Sequence, residues 1–135
     1  MSKTDIKSAF RIMPIHPKNY HLLDITWEGQ FYFDKCLPMG ASSSCHLFER
    51  FSTALEFIGK KSGIHHIIHY LDDFLLLNES EENSSKDLNL FLDICRNINV
   101  PIAPEKTVLP TQIIQFLGLE IDSVNQEIRL PLDKV

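Results

Sequence analysis

Apolar positions along this chain alternate between short runs broken by turns and longer stretches of helical period. His21-Leu22-Leu23-Asp24-Ile25-Thr26-Trp27 and Gln30-Phe31-Tyr32-Phe33-Asp34-Lys35-Cys36 are strand-like, and Glu28-Gly29 between them predicts a β-hairpin. Leu37-Pro38-Met39-Gly40 breaks that pattern. From Ser43 to about Lys61, Phe48, Phe51, Leu55 and Ile58 recur at spacings of 3, 4 and 3, which predicts a helix. Ser42, Ser43 and Ser44 are N-cap candidates, and Gly63 is placed to close the helix. Ile67–Leu71 and Phe74–Leu77 predict two strands around a two-residue turn, Asp72-Asp73. A polar connector at 78–85 follows. Leu88, Phe91, Leu92, Cys95 and Ile98 then form a second helical stripe, ended by Pro101 and Pro104. Runs at 113–121 and 127–130, with a turn over Asp122 to Gln126, read as one last pair of strands.

Helices separated by antiparallel pairs predict an α+β fold, an antiparallel sheet with two main helices packed on one face. Strict strand–helix alternation, which a parallel doubly wound sheet needs, is absent from the pattern. The length, 135 residues, suits one domain, and no apolar run is long enough for a membrane span. The opening Met1-Ser2-Lys3-Thr4-Asp5 has no apolar stretch after its lysine, so an intracellular protein of cytoplasm or nucleus, not a secreted one, is expected. The three cysteines, Cys36, Cys45 and Cys95, have no zinc spacing and read as thiols in a reducing compartment. His65, His66 and His69 also lack a partner of suitable spacing for a zinc site. The formal net charge of -5 is the wrong sign for gripping nucleic acid through phosphates alone.

The candidate chemistry is in the carboxylates. Asp72 and Asp73 interrupt an apolar run after Tyr70-Leu71. Buried carboxylates are costly unless paired or metal-bound. At a hairpin tip they become hard oxygen ligands suited to Mg²⁺, although a merely polar turn would have the same composition. Asp5, five positions before Phe10, is a second candidate. If Asp5 ends a strand, the chain turns into a short helical segment and Phe10 points back over the same pocket; the alternative is a helix N-cap.

Together these segments resemble the palm of retroelement reverse transcriptases. Asp5-Ile6-Lys7-Ser8-Ala9-Phe10 is similar to the first palm motif, and Leu37-Pro38-Met39-Gly40 with the following serines and Phe48 to the second. Tyr70-Leu71-Asp72-Asp73 is similar to the third, Pro104-Glu105-Lys106-Thr107 to the fourth, and Phe116-Leu117-Gly118 to the fifth, the primer grip. The resemblance spans about residues 3 to 132, and the tail is most similar to retrotransposons of the DIRS type. Met39 stands where retroviral enzymes usually carry Gln, and Cys45 where Pro is common.

The resemblance implies an RNA-directed DNA polymerase palm with a ferredoxin-like or RRM-like layout. It would transfer deoxynucleotides (dNTPs) onto a primer 3′-hydroxyl on an RNA or DNA template. It also implies two Mg²⁺ ions, or Mn²⁺, held by Asp5 and Asp72 with Asp73 beside them. Phe10 would exclude a ribose 2′-hydroxyl, Met39 and Gly40 would lie near nucleotide and template, and Tyr70 would stand on the substrate side. Lys106 would serve as proton donor or charge stabiliser for pyrophosphate; a solvated surface lysine is its alternative, as core packing is for Met39. On this reading the chain is a palm over 1–135 without fingers or thumb, weak or inactive by itself. A non-catalytic remnant acting as an interaction domain is the alternative. An RRM-like binder would instead need basic residues where this sequence has carboxylates.

Overall fold

A computed structural model of the chain describes residues 1–134. In chain order the strands are β1 (Ser2–Asp5), β2 (Asp24–Trp27), β3 (Gln30–Phe33), β4 (Ile67–Tyr70), β5 (Asp73–Leu76), β6 (Ile113–Phe116), β7 (Leu119–Asp122) and β8 (Glu127–Arg129). The α-helices are α1 (Ser44–Lys61) and α2 (Glu81–Asn97). The fold is α+β, with every strand pair antiparallel.

The central sheet has the order β1-β5-β4. Alternation along β5 sends Phe74 and Leu76 to one face and Leu75 to the other. Phe74 and Leu76 meet Phe48 and Leu55 from α1 and Phe91 and Cys95 from α2, all buried, so both helices cover that face. The Phe74 and Phe91 rings lie 4.9 Å apart. Leu75 packs instead with Ile114 and Phe116 of the separate β6-β7-β8 sheet. The middle strand is therefore covered from both sides.

α1 turns toward the sheet along Phe48, Ser52, Leu55 and Gly59. This is shifted from the expected stripe: Phe51 is half-buried and Ile58 is exposed, while small Ser52 and Gly59 take the inner positions. His69 of β4, its side chain largely buried on the α1 face of the sheet, ties the two together by bonding the Glu56 carboxylate through Nδ1 and the Glu49 carboxylate through Nε2 at 3.0 Å. Ser43 is the N-cap of α1, but its side chain makes no capping bond.

Other expectations shift for local reasons. Most of the expected connector at 78–85 is helix. Ser80 caps α2 by accepting from the Asn83 amide at 3.2 Å, and Glu81 and Glu82 lie in its first turn, where carboxylates suit the helix dipole. In the second stripe Ile98 is exposed past the helix end, while Leu88, Phe91 and Cys95 are buried. His21, Leu22 and Leu23 are not strand but the end of a 3-10 helix, Pro17–Leu23, and the hairpin begins at Asp24. Glu28 and Gly29 do form its turn, at φ +48° and +74°. The run 113–121 is two strands, because Leu117 and Gly118 turn at φ +51° and +76°. Asp122, read as the start of a turn, ends β7 and organises that turn: its carboxylate accepts from the Val124 amide at 2.9 Å and the Asn125 amide at 3.0 Å.

Candidate active site

Asp5 ends β1, and its Cα partner across the sheet is Asp73, the first residue of β5. Directly opposed residues project on the same face, so the two carboxyl groups leave one end of the sheet together. The tight turn between β4 and β5 is Leu71-Asp72, not the expected Asp72-Asp73, and Asp73 is paired with both Asp5 and Tyr70. Leu71 takes φ +50°, an uncommon conformation for a residue with a bulky side chain, and packs against the core. The Ile6 amide donates to the Asp72 carbonyl at 3.0 Å, tying that turn to the end of β1. Asp5 thus ends a strand and caps no helix.

The other edge of β1 is also occupied. Lys3 and Val108 exchange amide-to-carbonyl bonds at 3.1 and 2.9 Å, and the Ala103 amide donates to the Asp5 carbonyl at 2.9 Å. Within this segment Pro104–Lys106 forms one 3-10 turn. It presents the Lys106 ammonium to Asp5 Oδ2 at 3.0 Å, so Lys106 is not a free surface cation. Asp5 is buried, and Asp72 and Asp73 are half-buried.

Burial, followed by the charge of Asp5, pushes the Asp72 carboxyl above the usual carboxylate range. Burial, the charges of Asp5 and Asp72, and a close approach to the Asp5 carboxyl do the same for Asp73. Lys106 is raised by its bond to Asp5 and the attraction of the three carboxylates. The pattern is that of half-buried carboxylates, raised first by loss of hydration and then by neighbouring like charge.

Past Asp5 the chain bends at Ser8, φ +60°, into the short 3-10 helix Ala9–Ile12. This brings Phe10 back against the site, its ring edge-on to Phe48 at 5.3 Å. Asp5, Phe10, Met39, Asp72 and Lys106 line one cleft of about 420 Å³. Met39 is 81% exposed, so it is not a core residue. Lys7, Arg11 and Glu105 line the same cleft and were not anticipated; each flanks a motif residue and carries a charge, the one sequence signal available. Arg11 donates to Asp34 Oδ1 at 2.5 Å, linking the cleft wall to the segment just after β3.

Asp73, Gly40, Tyr70 and the Phe116-Leu117-Gly118 segment are not among the residues lining this cleft; Asp73 stands beside it through its pairing with Asp5. Gly40 follows Met39 at φ +87°. Tyr70 is exposed at the end of β4. Phe116 is buried against Leu75 and Ile114, which leaves Leu117 and Gly118 as the exposed tip of that hairpin.

Oxygen donors of this kind suit a hard cation such as Mg²⁺. The half-buried carboxylates fit one, since a cation would offset both their lost hydration and their mutual repulsion. A cationic group, the Lys106 ammonium, already sits on Asp5 Oδ2. Among the described residues no group of three His, Cys, Asp or Glu side chains is placed to hold a metal ion, Asp5, Asp72 and Asp73 included.

A family model described as reverse transcriptase (RNA-dependent DNA polymerase) matches residues 1–121. The genome polyprotein of Petunia vein clearing virus (isolate Shepherd) is 28% identical over 119 residues, 88% of this chain and 5% of that protein. The Pro-Pol polyprotein of feline foamy virus is 26% identical over 117 residues, 87% of this chain and 10% of that protein. Among solved structures, the foamy viral protease-reverse transcriptase in complex with dsDNA superposes with a TM-score of 0.84 at 24% identity, covering 98% of this chain and 26% of that one. The fold is shared, and the chain spans only a small part of the length of these relatives.

Proposed function

This chain belongs to the reverse transcriptase family of nucleotidyltransferases, and we propose that it is the catalytic palm of an RNA-directed DNA polymerase, working as part of a longer protein on a primed RNA or DNA template with dNTPs. The supporting observation is that Asp5 and Asp72 line one cleft with Phe10 and Lys106, while Asp73 pairs with Asp5 across the strands beside it. Three unpaired thiols fit work inside a cell, in cytoplasm or nucleus.

Asp5 and Asp72 would hold two Mg²⁺ ions, with Asp73 alongside. Bound there, the ions would supply charge neutralisation and activation of the primer hydroxyl. The protein's own share is placement, which carries most of phosphoryl-transfer catalysis. Phe10, held edge-on by Phe48, is a rigid wall where a ribose 2′-hydroxyl would clash. Met39 and Gly40 would meet the nucleotide and template. Lys106, on the Asp5 side of the cleft, would place a positive charge or a proton near the departing pyrophosphate. Phe116 would act as a buried anchor, so that the Leu117-Gly118 tip holds the primer end.

The test is primer extension on an RNA template with Mg²⁺, using a longer protein that contains this chain. Asp72→Asn should lower nucleotide addition on the order of a thousandfold. Extension by the Asn variant at the parent rate would sink the reading.

A further inference from the structure

We infer that Thr4 and Thr107 are positioning residues that set Lys106 on Asp5. Their catalytic consequence rests on the polymerase reading above; their geometric one does not. Thr4 precedes Asp5 on β1, so its side chain leaves the opposite face of the strand, where it is 1% exposed. Its hydroxyl lies 2.8 Å from the Thr107 hydroxyl. The Thr107 hydroxyl donates to the Ala103 carbonyl at 3.1 Å. A hydroxyl has one proton, so Thr107 accepts from Thr4 and donates to Ala103, and the direction of the chain is fixed.

Ala103 is where this chain meets the site. Its amide donates to the Asp5 carbonyl at 2.9 Å, and its carbonyl also accepts from the Lys106 amide at 3.1 Å. The turn that carries Lys106 is therefore held at its start by Asp5 itself and at its end by the Thr4–Thr107 pair. The Lys106 side chain is 58% exposed, and a long exposed lysine otherwise spreads over many rotamers. Fixing the backbone on both sides of the turn narrows the volume its ammonium explores and keeps it at Asp5 Oδ2. The residue type carries the same message. Valine would fill the Thr4 site with the same shape, whereas a buried hydroxyl is costly unless it finds a partner, and this one finds Thr107.

Zero-length carbodiimide cross-linking of the 135-residue chain tests this, because it joins an amine to a carboxylate only when they touch. Peptide mass spectrometry of the parent should show a Lys106–Asp5 link. Thr107→Val should lower its yield about fivefold, the scale of one hydrogen bond, and Thr107→Ser should stay within about twofold of the parent. If Thr107→Val unfolds, the double variant Thr4→Val/Thr107→Val removes both hydroxyls without leaving either unpaired, and should fold and show the same loss. Equal yields in the Val and parent proteins, equal losses in the Val and Ser variants, no link in the folded parent, or unfolding of the double variant as well would each overturn the assignment. In the longer polymerase, Thr107→Val should lower kcat about fivefold and leave the dNTP KM and primer–template affinity unchanged; a drop in affinity with kcat intact would also overturn it. A parent polymerase without activity would remove the polymerase reading and leave the cross-link to decide the positioning role.

Discussion

Two hairpins in this chain are built alike and end in opposite environments. β4–β5 and β2–β3 each pair two four-residue strands across a two-residue turn, and each is rich in aromatic and branched side chains. In β5, Phe74, Leu75 and Leu76 are buried, because β1 and β4 flank the strand, α1 and α2 cover one face and the β6-β7-β8 sheet covers the other. Every residue of β2 and β3 is exposed, including Trp27 at 68% and Phe31 at 83%. Among the described residues the ribbon has no third strand, and its aromatic support is Tyr20, stacked on Phe33 at 4.9 Å. Local pattern makes a hairpin; only long-range packing decides whether it is core. Two of the candidate catalytic carboxylates, Asp72 and Asp73, stand on the hairpin that packing constrains most, and the third, Asp5, ends the strand paired to it. Three crowded acids can be held together there because the surrounding fold supplies the stability they cost.

The sharpest way to break this contrast is to truncate one ring on each hairpin. Phe74→Ala should cost about 3–5 kcal/mol of folding free energy, since it empties a site fully enclosed by His69, Phe91 and the helices. Urea unfolding of the 135-residue chain measures this. A loss below about 1 kcal/mol would mean that the middle strand is not the centre of the core.

The next test concerns the cost of the site itself. Asp72 and Asp73 have folded-state pKa values above their ordinary range. An acid raised on folding binds more protons in the folded than in the unfolded state at intermediate pH, so stability falls as pH rises. The penalty is absent below the ordinary carboxylate range and fully present above the raised values. Asp72→Asn should therefore stabilise the metal-free chain at pH 7, by no more than about 1 kcal/mol because the group is half-exposed and screened. The gain should vanish below about pH 4, where the parent carboxyls are protonated. Mg²⁺ should shrink it at pH 7 by stabilising the parent alone. Thermal melts of parent and variant at both pH values, with and without Mg²⁺, read all of this. A variant less stable than the parent at pH 7 would contradict the crowding argument.

The β6–β7 hairpin gives a smaller effect. Leu117 is held at φ +51° and is half-exposed, so its conformational cost is not offset by burial. Leu117→Asn should stabilise the chain by about 0.5–1 kcal/mol, because Asn tolerates the left-handed region that this turn requires. No gain in the denaturation midpoint would show that the Leu117 side chain makes a contribution its exposure hides.

The meeting of Asp5 with the acidic turn was legible: Asp72 and Asp73 interrupt an apolar run, and Asp5, expected to end a strand, pairs with Asp73. The one-residue error in the turn has a clear origin. Asp in a turn is the commoner event, and only Leu71 accepting positive φ moves Asp73 into the strand. The same holds at Leu117-Gly118, where no polar residue marks a turn inside the apolar run 113–121 and Gly118 was the sole clue. Burial of Phe116 and the Thr4–Thr107 bond were beyond reach, since each depends on a partner distant in sequence. The second helix began early for a local reason that could have been read: Ser80 followed by Glu81 and Glu82 is an N-cap and an acidic first turn, though it also has the composition of a linker.

The smallest expected effect closes the contrast. Phe31 lies on the ribbon with its ring facing solvent, opposite Thr26. Little area leaves water when it folds, so Phe31→Ser removes little transfer free energy and leaves no cavity. Against that stands only a modest loss of cross-strand contact and β-propensity, a few tenths of a kcal/mol. Phe31→Ser should thus change folding stability by less than about 0.5 kcal/mol, set beside the several kcal/mol of Phe74→Ala. It should also raise solubility, since exposed aromatics on a bare ribbon invite association. Urea midpoints and light scattering at matched concentration separate the two outcomes. A destabilisation above about 1 kcal/mol would mean that β2–β3 packs into the folded chain, and that the difference between the two hairpins is one of degree.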